Sequence, residues 1–165
     1  MGVDLLELCR WLEDTWWATA LRESGYAYPF VEGSHVMALA LSVGAVLWFD
    51  LRLLGLTMRD DRVSDVFHQV RPWMLFGFAV MFVTGVLLFA ARASDAYPSP
   101  YFRIKLGLLV LGALNIAVFH TTIDRRRDEW DTDGRPPARA RLAGGVSLVL
   151  WFAIIAVGRI MAYNL

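Results

Sequence analysis

Five polar side chains interrupt the apolar stretches of this chain: His35, Lys105, Asn115, His120 and Arg159. A polar group in hydrocarbon is expensive, so each is a candidate functional residue by default. Glu32 and Asp50 stand near the two ends of the first apolar stretch, and His68 shortly before the second. On one helix Lys105 and His120 would be separated by roughly 22 Å of rise and about 60° of azimuth. One helix face then carries a cation at one depth and an imidazole at another. His35, Arg159 and Glu32 share the first layer, and His68 shares the second.

Neutral imidazole in a protein-lined site is the commonest haem iron ligand, and helical bundles commonly hold cofactors between facing side chains. Haem b also brings two propionates that need cations. Lys105 and Arg159 are the candidates in the first layer, and Arg71, Arg125 and Arg52 in the second. The chain has 3 histidines, so two bis-histidine haems are excluded. His68 with His120 is the pair that shares a depth. His35 would need another partner, with Met37, Met81, water or a neighbouring subunit as the choices. Each residue also has a plainer role: an interfacial hydrogen bond for His35, a helix C-terminal cap for His120, a solvated loop position for His68, snorkelling for Lys105 and Arg159, and an interhelical hydrogen bond for Asn115.

Positioning these groups requires helices, and the composition says in which solvent. The hydrophobic share is 57% with a mean hydropathy of +0.46, above that of an ordinary soluble domain. Lys+Arg and Asp+Glu number 16 each, which gives no net-charge case for a nucleic-acid partner. The single cysteine, Cys9, excludes an intrachain disulfide and a cysteine-rich metal cluster. Phosphate-loop, His-Glu-x-x-His and serine-triad patterns are missing, which argues against a soluble-type enzyme.

Four stretches approach the roughly 20 apolar residues that a spanning helix needs. The expectation is an all-α integral membrane four-helix bundle in one domain, with spans at about 29–55, 72–92, 100–122 and 142–163. Pro29 and Pro100 suit a first helical turn, Ser99 suits an N-cap, and Pro72 either starts the second span or kinks a longer helix from Asp61. Residues 3–22 read as one amphipathic helix on the membrane surface: Leu5, Leu8, Cys9, Leu12 and Trp16 recur at helical spacing, with Trp11 and Trp17 at headgroup depth. Small residues, Ala38, Ser42 and Ala45, then Gly107, Gly112 and Ala113, then Gly144, Gly145 and Ser147, mark expected helix contacts. The stretch 128–137 reads as a polar connector.

Arginine asymmetry sets the expected orientation. Arg52, Arg59, Arg62, Arg71, Arg125, Arg126, Arg127, Arg135, Arg139 and Arg141 all fall in the connections after the first and third spans. The positive-inside rule places that side in the cytoplasm and both termini outside, for a multi-pass protein of a bacterial inner membrane.

The run Tyr28-Pro29-Phe30-Val31-Glu32-Gly33-Ser34-His35 and the stretch Asp50-Leu51-Arg52-Leu53-Leu54-Gly55 are the first two parts of a pattern. Phe102-Arg103-Ile104-Lys105, Asn115 with Phe119-His120, and Gly158-Arg159 complete it. Together they resemble a group of small bacterial four-helix membrane proteins of unknown function, described as copper-resistance-D-like. The resemblance runs from Leu5 to Tyr163. It implies that His35, Lys105, Asn115, His120 and Arg159 belong to the group's polar pattern, that His68 stands outside it, and that copper is a rival to haem.

Three readings follow. The first is a non-enzymatic b-type haem protein in cytochrome-like electron transport, with His120 as the leading metal ligand, His68 and His35 as further ones, and Arg71, Lys105 and Arg159 around the cofactor. Its partners would be the lipid bilayer and a redox protein or quinone, with a homo-oligomer as an option. The second is copper handling through His35 and Met37, and the third an accessory subunit without a cofactor.

Overall fold

A computed structural model describes residues 4–123, 125, 130–131 and 136–164. Most of the stretch 128–137, and Arg126 and Arg127, lie outside the described residues. The chain forms α1 (Leu5–Glu13), α2 (Trp16–Glu23), α3 (Ala27–Leu53), α4 (Val63–Ala91), α5 (Ala93–Ala96), α6 (Pro100–Val118) and α7 (Ala138–Tyr163). A π-helical turn, Phe119–Ile123, extends α6. The helices α3, α4, α6 with its extension, and α7 are each long and apolar enough to cross a membrane.

Several starts obey local chemistry. Asp4 caps α1 by accepting from the Leu6 amide at 3.1 Å. Ser24 Oγ accepts from the Ala27 amide at 3.0 Å, which opens α3 two residues before Pro29. Ser99 and Pro100 open α6 as expected.

Other boundaries differ from the sequence expectation. The second span begins at Val63 rather than near 72, with Pro72 inside it, so of the two alternatives for Pro72 the longer helix is the one formed. Pro72 cannot donate to the His68 carbonyl, and its exposed position spares the bundle interior that loss. The first span ends at Leu53, two residues early, because the chain turns at Gly55 with φ +73°. The fourth span starts four residues early, after Pro137. The amphipathic segment is two helices rather than one. Asp14 ends α1, and Thr15 Oγ1 turns back to the Leu12 carbonyl at 2.7 Å before α2 begins.

The strongest packing joins α3 to α4 and α6 to α7, with α3 and α7 closing the two pairs together. Gly77 lets α4 approach α3 closely: a Cβ there would meet Ser42 Cβ at 2.6 Å and the Ala38 carbonyl oxygen at 3.0 Å. Gly144 does the same for α7, where a Cβ would lie 3.1 Å from Leu53 Cβ and 3.2 Å from the Asp50 carbonyl oxygen. The expected small-residue faces at Ala38, Ser42 and Gly144 are thus helix contacts, whereas Gly107 and Ala113 are exposed.

Two apolar clusters fill the bundle. Phe49, Leu53, Val63, Val66, Phe119 and Ala143 pack in the half that holds the α3–α4 and α6–α7 connections, here the loop half. Val43, Val46, Trp151 and Ile154 pack at mid-depth against Phe78 and Leu108. The opposite, terminal half carries α1, α2 and α5. There Glu13 accepts from the Ser94 amide at 2.9 Å and its hydroxyl at 2.5 Å, and pairs with Arg22 at 2.8 Å. Burial raises the Glu13 carboxyl, but the Ser94 donors and Arg22 outweigh it and hold the group below its ordinary value. Cys9 is buried beside this clasp, and burial, with Glu13 nearby, pushes its thiol up.

Candidate functional site

The interior of the terminal half collects polar groups from facing helices. His35 projects from α3, and its Nδ1 lies 2.8 Å from Thr84 Oγ1 on α4. The Thr84 hydroxyl donates its one proton to the Val80 carbonyl at 2.7 Å. It therefore meets His35 as an acceptor, and the hydrogen-bond network assigns the ring proton to Nδ1. The Met81 backbone is a further hydrogen-bonding neighbour of the ring, and with the proton on Nδ1 the Nε2 atom keeps its lone pair. This is the tautomer in which a histidine binds a metal, its other nitrogen tied to a neighbouring acceptor.

Glycine makes room for both polar side chains. A Cβ on Gly85 would stand 3.3 Å from His35 Cε1, and one on Gly158 of α7 would stand 3.4 Å from Lys105 Nζ. Lys105 of α6 is half-buried and close enough to His35 to act on the ring electrostatically. Among the described residues it has no ion pair or hydrogen bond. The neighbouring cations behave differently. Arg92, Arg103 and Arg159 lie over the rings of Tyr28, Tyr97 and Tyr163 at 5.4, 5.5 and 4.6 Å.

The other sequence candidates are placed as follows. Arg159 is exposed and donates to Tyr163 Oη at 2.7 Å, away from His35. Arg71 is exposed on α4. His68 and His120 share the loop half, and each stands against the Phe67 ring, at centroid distances of 6.3 and 5.7 Å. Both are exposed, and His120 also contacts the Phe119 ring at 5.4 Å. Their common depth was legible in the sequence, and their common contact with Phe67 was not. Met37 is 72% exposed, and Met81 Sδ lies 3.1 Å from Ser42 Oγ. Asn115 Nδ2 donates to the Ala143 carbonyl at 3.0 Å, the interhelical bond that its plainer role requires.

Sequence reasoning missed Thr84 and Gly85, and it gave Gly158 only as the neighbour of Arg159 in a family pattern. Thr84 had a signal: it is the one hydroxyl-bearing residue between Trp73 and Ala91. The glycines carried no signal of this role, because it lies in what stands opposite them.

The side chains of α4 and α6 meet near the two ends of the bundle. Phe89 stacks on Phe102 with centroids 5.0 Å apart and planes 9° apart, and Phe67 contacts His120 at the other end. Between these contacts their approach is weaker than that of α3 with α4 or of α6 with α7. The loosest side of the bundle thus borders the helix that carries Lys105. The arrangement can receive an anionic group at Lys105 and offer Nε2 of His35 as a ligand or acceptor.

Fold and site together define a multi-pass, all-α membrane protein with a histidine–lysine centre in one half of its bundle. The chain belongs to the family of unknown function DUF6644, whose model matches residues 9–164. No curated protein and no solved structure matches it.

Proposed function

We propose that this protein is a b-type haem-binding protein of the bacterial inner membrane, with both termini outside and a cytochrome-like role in electron transfer. The observation that carries the reading is His35: a half-buried imidazole with Nδ1 engaged by Thr84 and its Nε2 lone pair available, beside a half-buried lysine without a carboxylate. The residues suit a single haem in the terminal half. His35 would supply a nitrogen ligand to the iron, Lys105 would receive a propionate, and Gly85 would leave the imidazole its space. When bound, the haem supplies one-electron chemistry. The chain's part is to fix the imidazole tautomer, place a positive charge beside it and exclude water with apolar helices.

His68 and His120 are the weaker ligand pair, since their exposed rings lie on Phe67 rather than inside the bundle. The copper reading draws less support. Among the described residues no group of three or more histidine, cysteine or acidic side chains gathers, and Met37 turns outward. The likeness to copper-resistance-D-like proteins remains a likeness of polar pattern.

The test is the visible absorption spectrum of the detergent-purified chain after expression with ample haem. A Soret band is expected, abolished by His35→Ala and kept by His68→Ala. A wild-type chain with no band would end the haem reading and favour an accessory subunit whose polar residues tie helices together.

A further inference from the structure

Asp50 stands on α3 in the loop half, only 4% exposed. Its carboxyl faces the Ser147 hydroxyl of α7, and its Oδ2 is buried without a hydrogen-bond partner. Around it α7 brings Gly144, whose absent Cβ admits the Asp50 backbone, and α6 brings the Asn115 amide to the Ala143 carbonyl one helical turn from Ser147. No cation among the described residues forms an ion pair with the carboxyl. Arg52, two positions on, directs Nε and Nη2 to the Asp61 carbonyl at 3.0 and 2.6 Å. Arg71, Arg139, Arg141, His68 and His120 are exposed.

A buried carboxylate with one hydroxyl neighbour and no counter-charge is strongly disfavoured, and an apolar bundle offers little relief. A carboxylic acid in the same place costs far less, since it needs one acceptor and one donor. We propose that Asp50 is an intramembrane proton-binding site, a neutral carboxylic acid on the α3–α7 seam that takes up and releases a single proton. Ionisation breaks its O–H bond, passes the proton to water and leaves a carboxylate that Ser147 alone cannot satisfy. The site is independent of the haem reading, because His35 lies in the other half of the bundle.

Infrared spectroscopy of the full chain in lipid tests this. At neutral pH the wild-type protein is expected to show a carbonyl stretch of a protonated acid, lost in Asp50→Asn and displaced in Ser147→Ala. Carboxyl-labelled aspartate, which alters no residue, should move the same band and keeps the test alive should a variant fail to fold. A wild-type protein in which labelled aspartate moves only carboxylate bands overturns the proposal, as does an acid band that survives in folded Asp50→Asn.

Discussion

The α3–α4 seam and the exposed flank of α6 are built from the same apolar alphabet and packed in opposite ways. At the seam, Gly77 receives Ser42 and Ala38 so closely that a methyl group has no room. Along α6, Gly112 is buried and yet a Cβ there would meet nothing within 4 Å, while most of its neighbours face outward. Lipid tails are as apolar as leucine, so hydrophobicity does not draw membrane helices together. Close packing and interhelical hydrogen bonds do. The difference shows where the bundle is held rigid and where it has slack beside the His35–Lys105 centre.

Substitution breaks or sharpens this contrast. The largest effect is expected from Gly77→Ala. The added Cβ meets backbone and Cβ atoms of α3 rather than flexible side-chain tips, so overpacking should cost about 1–3 kcal/mol. Thermal unfolding in detergent reads this, and an unchanged midpoint would show that the seam is softer than its distances indicate. The same change at Gly112 is expected to act in the other direction. With open space and a helical backbone, Gly112→Ala should stabilise by about 0.5–1 kcal/mol through helix propensity. A loss of stability there would reveal a contact on α6 that comes only from a partner or cofactor.

The smallest effect concerns the clasp at the membrane surface, away from both regions. Glu13 is held below its ordinary value of 4.5 by Ser94 and Arg22. Its contribution is therefore complete above that value and is lost as pH falls through the lower folded-state value. Glu13→Gln should flatten the acid limb of a stability–pH profile, lowering stability modestly at neutral pH and converging on the wild type in acid. An identical acid limb in the variant would remove Glu13 from the account.

Much of the architecture was legible in the residues. Four apolar stretches bounded by Ser99-Pro100, Pro29 and arginine-rich connections can form little other than spanning helices, because lipid requires every backbone group to be bonded within its own segment. Asn115 as an interhelical donor and the shared depth of His68 and His120 were legible for the same reason. The break at Asp14–Thr15 and the continuation of α4 through Pro72 were less so. Both depend on which face of the helix meets solvent, and a one-dimensional pattern gives that poorly.

The polar residues show the boundary most clearly. Periodicity and the cost of charge in hydrocarbon singled out His35, Lys105 and Arg159 alike, and gave Asp50 only a place near a helix end. The tertiary structure separated them: Lys105 turns toward Gly158 and His35, Arg159 turns out to Tyr163, and Asp50 is sealed against α7. Hydropathy is a sum over local composition, so the chain itself determined its solvent, its helices and their depths. The azimuth of each side chain, and the glycine or threonine that meets it, depend on how the helices rotate against one another, which is decided only when they pack.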